Sequence, residues 1–120
     1  MLLIYIAGKY RGKTSWQVEQ NIRAAEIVGF DLASKYNIVP IIPHTMYRHF
    51  DGELTDDFWL KGTLELMRRC DAAVFIPGWH LSSGAVGEHK EAQRIGMPTF
   101  DLETGPLTFE VWLNEVRGVY

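Results

Sequence analysis

The sequence predicts an α/β fold in which an open parallel sheet lies between two layers of helices. Two observations carry the prediction. Short apolar runs at residues 2–7, 38–42, 72–76 and 97–101 have the length and composition of strands, and the first is uninterrupted, as suits a central strand buried on both faces. Between the runs lie segments long enough for helices, with apolar residues at three- and four-residue spacing. Strands linked by helices pair in parallel through right-handed crossovers, so helices cover both sheet faces.

The elements follow in order. The strand at 2–7 ends at Gly8 and a polar loop fills 8–13; Thr14 and Gln17 then have the spacing of a capping box. Val18, Ile22, Ala25, Gly29, Leu32, Ala33 and Tyr36 trace one face of a long helix. The β-branched run at 38–42 closes at Pro43, and residues 44–53, polar and aromatic without periodicity, read as a loop. Phe58, Trp59, Leu60, Leu64 and Met67 mark a helix over 55–69, weakened by Gly62. The third strand, 72–76, leads into a turn at 77–84, a helix over 85–95 stopped by Gly96, and a fourth strand at 97–101. Residues 107–116 complete the set with a helix bearing Phe109, Val111, Trp112 and Val116. Leu107, Phe109, Trp112 and Val116 serve either a subunit contact or packing on the chain's own sheet. The expected topology is flavodoxin-like or Rossmann-like. Ligands in such sheets sit beyond the strand C-termini, where 8–13, 43–51 and 77–84 converge.

At 120 residues the chain fits one domain, 1–120, since domains commonly hold about 100 to 150 residues. With 47% hydrophobic and 22% charged residues it can bury an ordinary core. A net charge of −3 supplies no basic field for polymeric phosphate, which argues against DNA or RNA as a partner. Cys70 has no second cysteine to pair with, as suits a reducing, cytoplasmic setting. The apolar start lacks a basic leader and meets Lys9, Arg11 and Lys13 at once, so neither a signal peptide nor a membrane span is expected.

Glu88 is the most informative residue, because it shares a helical stripe with Ala85, Ala92 and Ile95. A first-turn position near Gly84 would favour its ionised form, and the plainer alternative is a solvated carboxylate complementing the helix dipole. Gly8, Lys9, Tyr10, Arg11 and Gly12 form a loop able to cradle an anion, though a strand-to-helix turn also needs glycine for geometry alone. Residues 7–14 fit a P-loop spacing only with Ala7 in place of the first glycine, and the third strand ends without a metal-binding aspartate. His44, His49, Asp51, His80 and His89 lack a strong metal-ligand spacing, so no metal is expected. Trp79, following the third strand, could wall a pocket for a flat base.

Taken together, residues 4–8 (Ile-Tyr-Ile-Ala-Gly), Arg11-Gly12, Pro43-His44-Thr45, residues 71–74 and residues 82–88 (Ser-Ser-Gly-Ala-Val-Gly-Glu) resemble the nucleoside 2-deoxyribosyltransferase superfamily over residues 1 to about 98. The chain looks most like a small bacterial and phage branch, similar in motif order to the 2′-deoxynucleoside 5′-phosphate N-hydrolases. The resemblance implies that Glu88 is a nucleophile attacking the anomeric carbon, oriented by Tyr5, with Ser82 and Arg11 on the phosphate side, His44 and Tyr10 flanking the base, and Gly84 also among the substrate-binding residues. Serine at 82, where the nucleoside transferases carry aspartate, implies a nucleotide rather than a nucleoside, since aspartate would repel phosphate. Two departures stand out. Thr63 occupies the position of the family's acid, which leaves a different base, Asp56 or Asp57 as substitutes, or no catalysis; Lys9 replaces a serine. The resemblance implies no cofactor, a small-molecule nucleotide or nucleoside ligand, and a homodimer or larger homo-oligomer. It leaves three activities to separate: N-glycosidic hydrolysis of a (deoxy)nucleoside 5′-monophosphate, deoxyribosyl transfer between bases, and silent binding of a nucleotide or ADP-ribose-like ligand.

Overall fold

The computed structural model describes residues 1–48, 50 and 52–118. The four apolar runs become β1 (Leu3–Ala7), β2 (Val39–Ile41), β3 (Ala72–Phe75) and β4 (Thr99–Asp101), paired in parallel in the order β2-β1-β3-β4. Tyr5 stands between Ile41 on one side and Ala73 on the other. Among the described residues five α-helices connect or follow the strands: α1 (Ser15–Tyr36), α2 (Pro43–Met46), α3 (Asp56–Arg68), α4 (Ser83–Arg94) and α5 (Thr108–Arg117).

The chain steps outward from β1 to β2, then returns past β1 to β3 and β4. Right-handed crossovers therefore put α1 on one face and α3 and α4 on the other. Side-chain alternation along the strands agrees. Ile4, Ile6, Ala72 and Val74 join Ala25 and Leu32 of α1 and Phe109 and Leu113 of α5 in one core. Tyr5, Ala7, Ala73 and Phe75 join Met67 of α3 and Ala92 of α4 in the second. The result is a three-layer α/β/α sandwich with flavodoxin-like strand order, whose direction reverses between β1 and β3.

The elements differ from expectation mainly at their edges. Residues 43–46, expected to be loop, form the single turn α2; Pro43 presets the backbone at its first position, and one turn is too short to show a period. Helix α4 starts at Ser83, earlier than expected, because Ser82 caps it by accepting from the Ala85 N–H at 3.2 Å. Ile95 leaves the buried stripe, since it lies past the end of α4 and is exposed. Thr14 accepts from the Gln17 N–H as a cap, while the Gln17 side chain reaches back to the Lys13 N–H, one residue beyond the usual box. Phe109 and Trp112 pack into the chain's own core, whereas Leu107 and Val116 face outward. No helix among the described residues is long and apolar enough to cross a membrane.

Gly8, at the end of β1, is fixed by close approach. A Cβ there would lie 2.4 Å and 2.6 Å from the Cγ1 and Cδ1 of buried Ile76. Gly8→Ala is expected to lower stability by about 1–3 kcal/mol through overpacking. Urea unfolding checks this: an unchanged midpoint would show that Ile76 yields freely.

Candidate active site

A cleft of about 940 Å³ opens beyond the C-terminal ends of β1 and β3, where the strand order reverses. The loop after β1, the start of α2, the first half of α3 and the first turns of α4 surround it. Tyr5, Gly8, Lys9, Tyr10, Arg11, Gly12, His44, Ser82, Gly84 and Glu88 all line this one space.

Glu88 is buried, and the Tyr5 hydroxyl donates a hydrogen bond to its Oε2. With α4 starting at Ser83, Glu88 falls in the second turn and not the first, where the favourable field of a helix end has faded. The expected first-turn position is thus corrected, as is the alternative of a solvated carboxylate. Burial pushes the Glu88 pKa up to about 7, against the opposing pull of the Tyr5 hydrogen bond. Burial first, and then the Glu88 charge, hold the Tyr5 phenol well above its ordinary value, so it remains a proton donor. Thr63 of α3 reaches the same phenol, and its hydroxyl also bonds the Leu60 carbonyl at 3.1 Å. The departure noted in the sequence therefore touches the Tyr5–Glu88 pair directly.

His44 ties the β1 loop to α2. Its Nε2 lies 3.1 Å from the Lys9 carbonyl, and burial lowers its pKa, so the neutral ring donates through Nε2–H. The buried Nδ1 has no hydrogen-bond partner among the described residues. Tyr10 meets His44 edge to face at 5.7 Å between centroids.

At the mouth, Arg11 pairs with Asp56 at 2.6 Å, both side chains more than 70% exposed (74% and 72%). An exposed pair of this kind contributes only about 0–1 kcal/mol. Asp57 pairs with Lys61 at 3.0 Å. The two aspartates considered as substitutes for the acid at position 63 are both held by cations. Opposite them, Ser82 accepts from Ala85 and keeps its own proton to donate. The N–H groups of Ser83 and Gly84, at the head of α4, have no acceptor in the helix ladder.

The aromatic wall differs from expectation. Trp79 stacks on His89 at 4.6 Å and leans on Phe75, outside the residues that line the cleft. Tyr47 and Trp59, with ring centroids 5.4 Å apart, line it instead. Nothing in the pattern marked Tyr47, which sits in an aperiodic segment, and Trp59 stood out only as one of the apolar residues that mark its helix. His80 lies 3.5 Å from Glu103 and His89 against Trp79; His49 and Asp51 lie outside the described residues. Among the described residues no three His, Cys, Asp or Glu side chains come together.

No curated protein matches the chain. Residues 2–101, which include the whole sheet and every residue lining the cleft, match a domain family of unknown function (DUF7768), and the chain belongs to that family.

Proposed function

We propose that the chain hydrolyses the N-glycosidic bond of a (deoxy)nucleoside 5′-monophosphate through a covalent glycosyl–Glu88 intermediate. The observation that carries this reading is the buried Glu88 carboxylate on the floor of the cleft, oriented by the Tyr5 hydroxyl. The resemblance to the nucleoside 2-deoxyribosyltransferase superfamily supports it.

In this reading the ionised Glu88 attacks C1′ as the C–N bond breaks and its electron pair leaves with the base. Water then attacks C1′ of the ester and releases the Glu88 carboxylate with net retention, the proton that water loses balancing the one the departing base takes up. Ser82, the free N–H groups of Ser83 and Gly84, and Arg11 receive the phosphate. Tyr47 and Trp59 offer flat surfaces to the base. Assembly as a homo-oligomer and a cytoplasmic setting belong to the same proposal.

Incubating the purified protein with each deoxynucleoside 5′-monophosphate should yield free base and deoxyribose 5-phosphate, separated by chromatography. New nucleotide formed only when a second base is supplied would point to transfer instead. Thr63, hydroxyl in place of a carboxylic acid beside Tyr5, favours one other reading, a binding module without turnover. Calorimetric binding of a monophosphate with no base released would establish it. Tyr5→Phe offers a finer check. Losing the bond that lowers the Glu88 pKa should move the rising limb of the rate profile up by about one pH unit.

A further inference from the structure

A recess of about 550 Å³ adjoins the cleft across the loop that follows β1. Lys9, Arg11 and Gly12 border both spaces, and Lys13, Gln17, Gln20 and Asn21 complete the recess. None of the described residues that line it is a carboxylate. Three cations thus crowd into five residues of a chain whose net charge is −3. The lysine ion pairs among the described residues belong to Lys35 and Lys61, so Lys9 and Lys13 have no anionic partner there.

The loop is also shaped to favour an anion. Asn21 Nδ2 donates to the carbonyls of Tyr10 at 3.0 Å and Arg11 at 3.1 Å, which engages the negative ends of two peptide groups. Gln17 Oε1 accepts from the Lys13 N–H at 2.6 Å and anchors the loop to α1. Asp56 counters the Arg11 charge from the cleft side, and the charges of Lys9 and Lys13 are the ones a polyanion would compensate.

We infer that the recess is a second anion subsite, taking the distal phosphate of a ligand that carries a diphosphate. Arg11, common to both spaces, bridges the two phosphates. The placement of the first phosphate in the cleft rests on the proposed function; the cation cluster does not. A diphosphate occurs both in nucleoside di- and triphosphates and in pyrophosphate-linked dinucleotides, and recognition of the linkage is the same for both.

Calorimetric titration with inorganic phosphate and inorganic pyrophosphate at low salt tests the inference in the intact chain. Pyrophosphate should bind at least about tenfold more tightly. Lys13→Glu, on an exposed loop, should bring the two within about twofold while leaving phosphate affinity nearly unchanged, as expected for loss of a local charge-assisted contact. Lys35→Glu, an equal charge change at the far end of α1, should preserve the preference. Equal affinities, or a preference that survives Lys13→Glu, overturn the inference while phosphate binding in the cleft stands. Failure of both anions to bind overturns it together with the phosphate half of the proposed function. Monophosphate, triphosphate and dinucleotide ligands then separate the sources: the true class gains affinity over the monophosphate in the parent and not in Lys13→Glu, and gain by neither overturns the subsite.

Discussion

Glu88→Gln is expected to slow base release by on the order of 10³-fold or more, as loss of a nucleophile does when the rest of a site survives. The amide cannot form the glycosyl ester, yet its carbonyl still accepts from the Tyr5 hydroxyl, so the cleft keeps its shape. The parent should also carry a pH signature. In the proposed mechanism Glu88 attacks only when ionised, and burial raises its pKa to about 7, so the single-turnover rate should rise with pH through neutrality and level off above it. Base release unchanged in Glu88→Gln, or a rate flat from pH 5 to pH 8, would remove Glu88 from the chemistry.

The same substitution should change how stability depends on pH. Folding raises the Glu88 pKa from 4.5 to about 7, a shift that corresponds to roughly 3 kcal/mol. Below pH 4.5 both states bind the proton and nothing is lost. As pH rises toward 7 the unfolded chain ionises before the folded one, and the native state loses stability; above 7 the loss is complete and flat. Glutamine does not titrate. Between pH 5 and pH 8 the stability of Glu88→Gln relative to the parent should therefore rise by roughly 2–3 kcal/mol. Denaturant unfolding of both proteins at the two pH values measures this, and parallel behaviour would mean that Glu88 is hydrated in the folded protein.

The sheet and its layers were legible because uninterrupted apolar runs and helical stripes are long-range regularities, whereas the strand order was left between flavodoxin-like and Rossmann-like, since crossover handedness fixes the face a helix covers and not the edge a strand joins. The site was legible as a set of loops for the same reason, since parallel strands deliver their C-terminal ends to one edge. What escaped was local. One turn at Pro43 has no period to read. The start of α4 depended on which of two adjacent serines capped it, and that choice moved Glu88 out of the favourable end field and left burial to set its pKa. The base-side wall was assigned to Trp79 by proximity along the chain, whereas stacking on His89 turns that ring away and Tyr47 and Trp59 come in from elsewhere. The contact of Thr63 with Tyr5 joins α3 to β1 across the second core, a pairing that no spacing rule anticipates.

The ion pair at the cleft mouth gives entry the character of an exchange. In the proposed reading, Asp56 already engages one end of the Arg11 guanidinium, so a phosphate bound there competes with a carboxylate as well as with water. A dianion recovers the lost contact with a stronger one; an uncharged nucleoside recovers nothing and leaves the pair in place. Discrimination between the two then resides in a competitor carried by the protein itself, and added salt, which weakens ligand and competitor alike, should blunt affinity less than the bare charge of the loop would suggest.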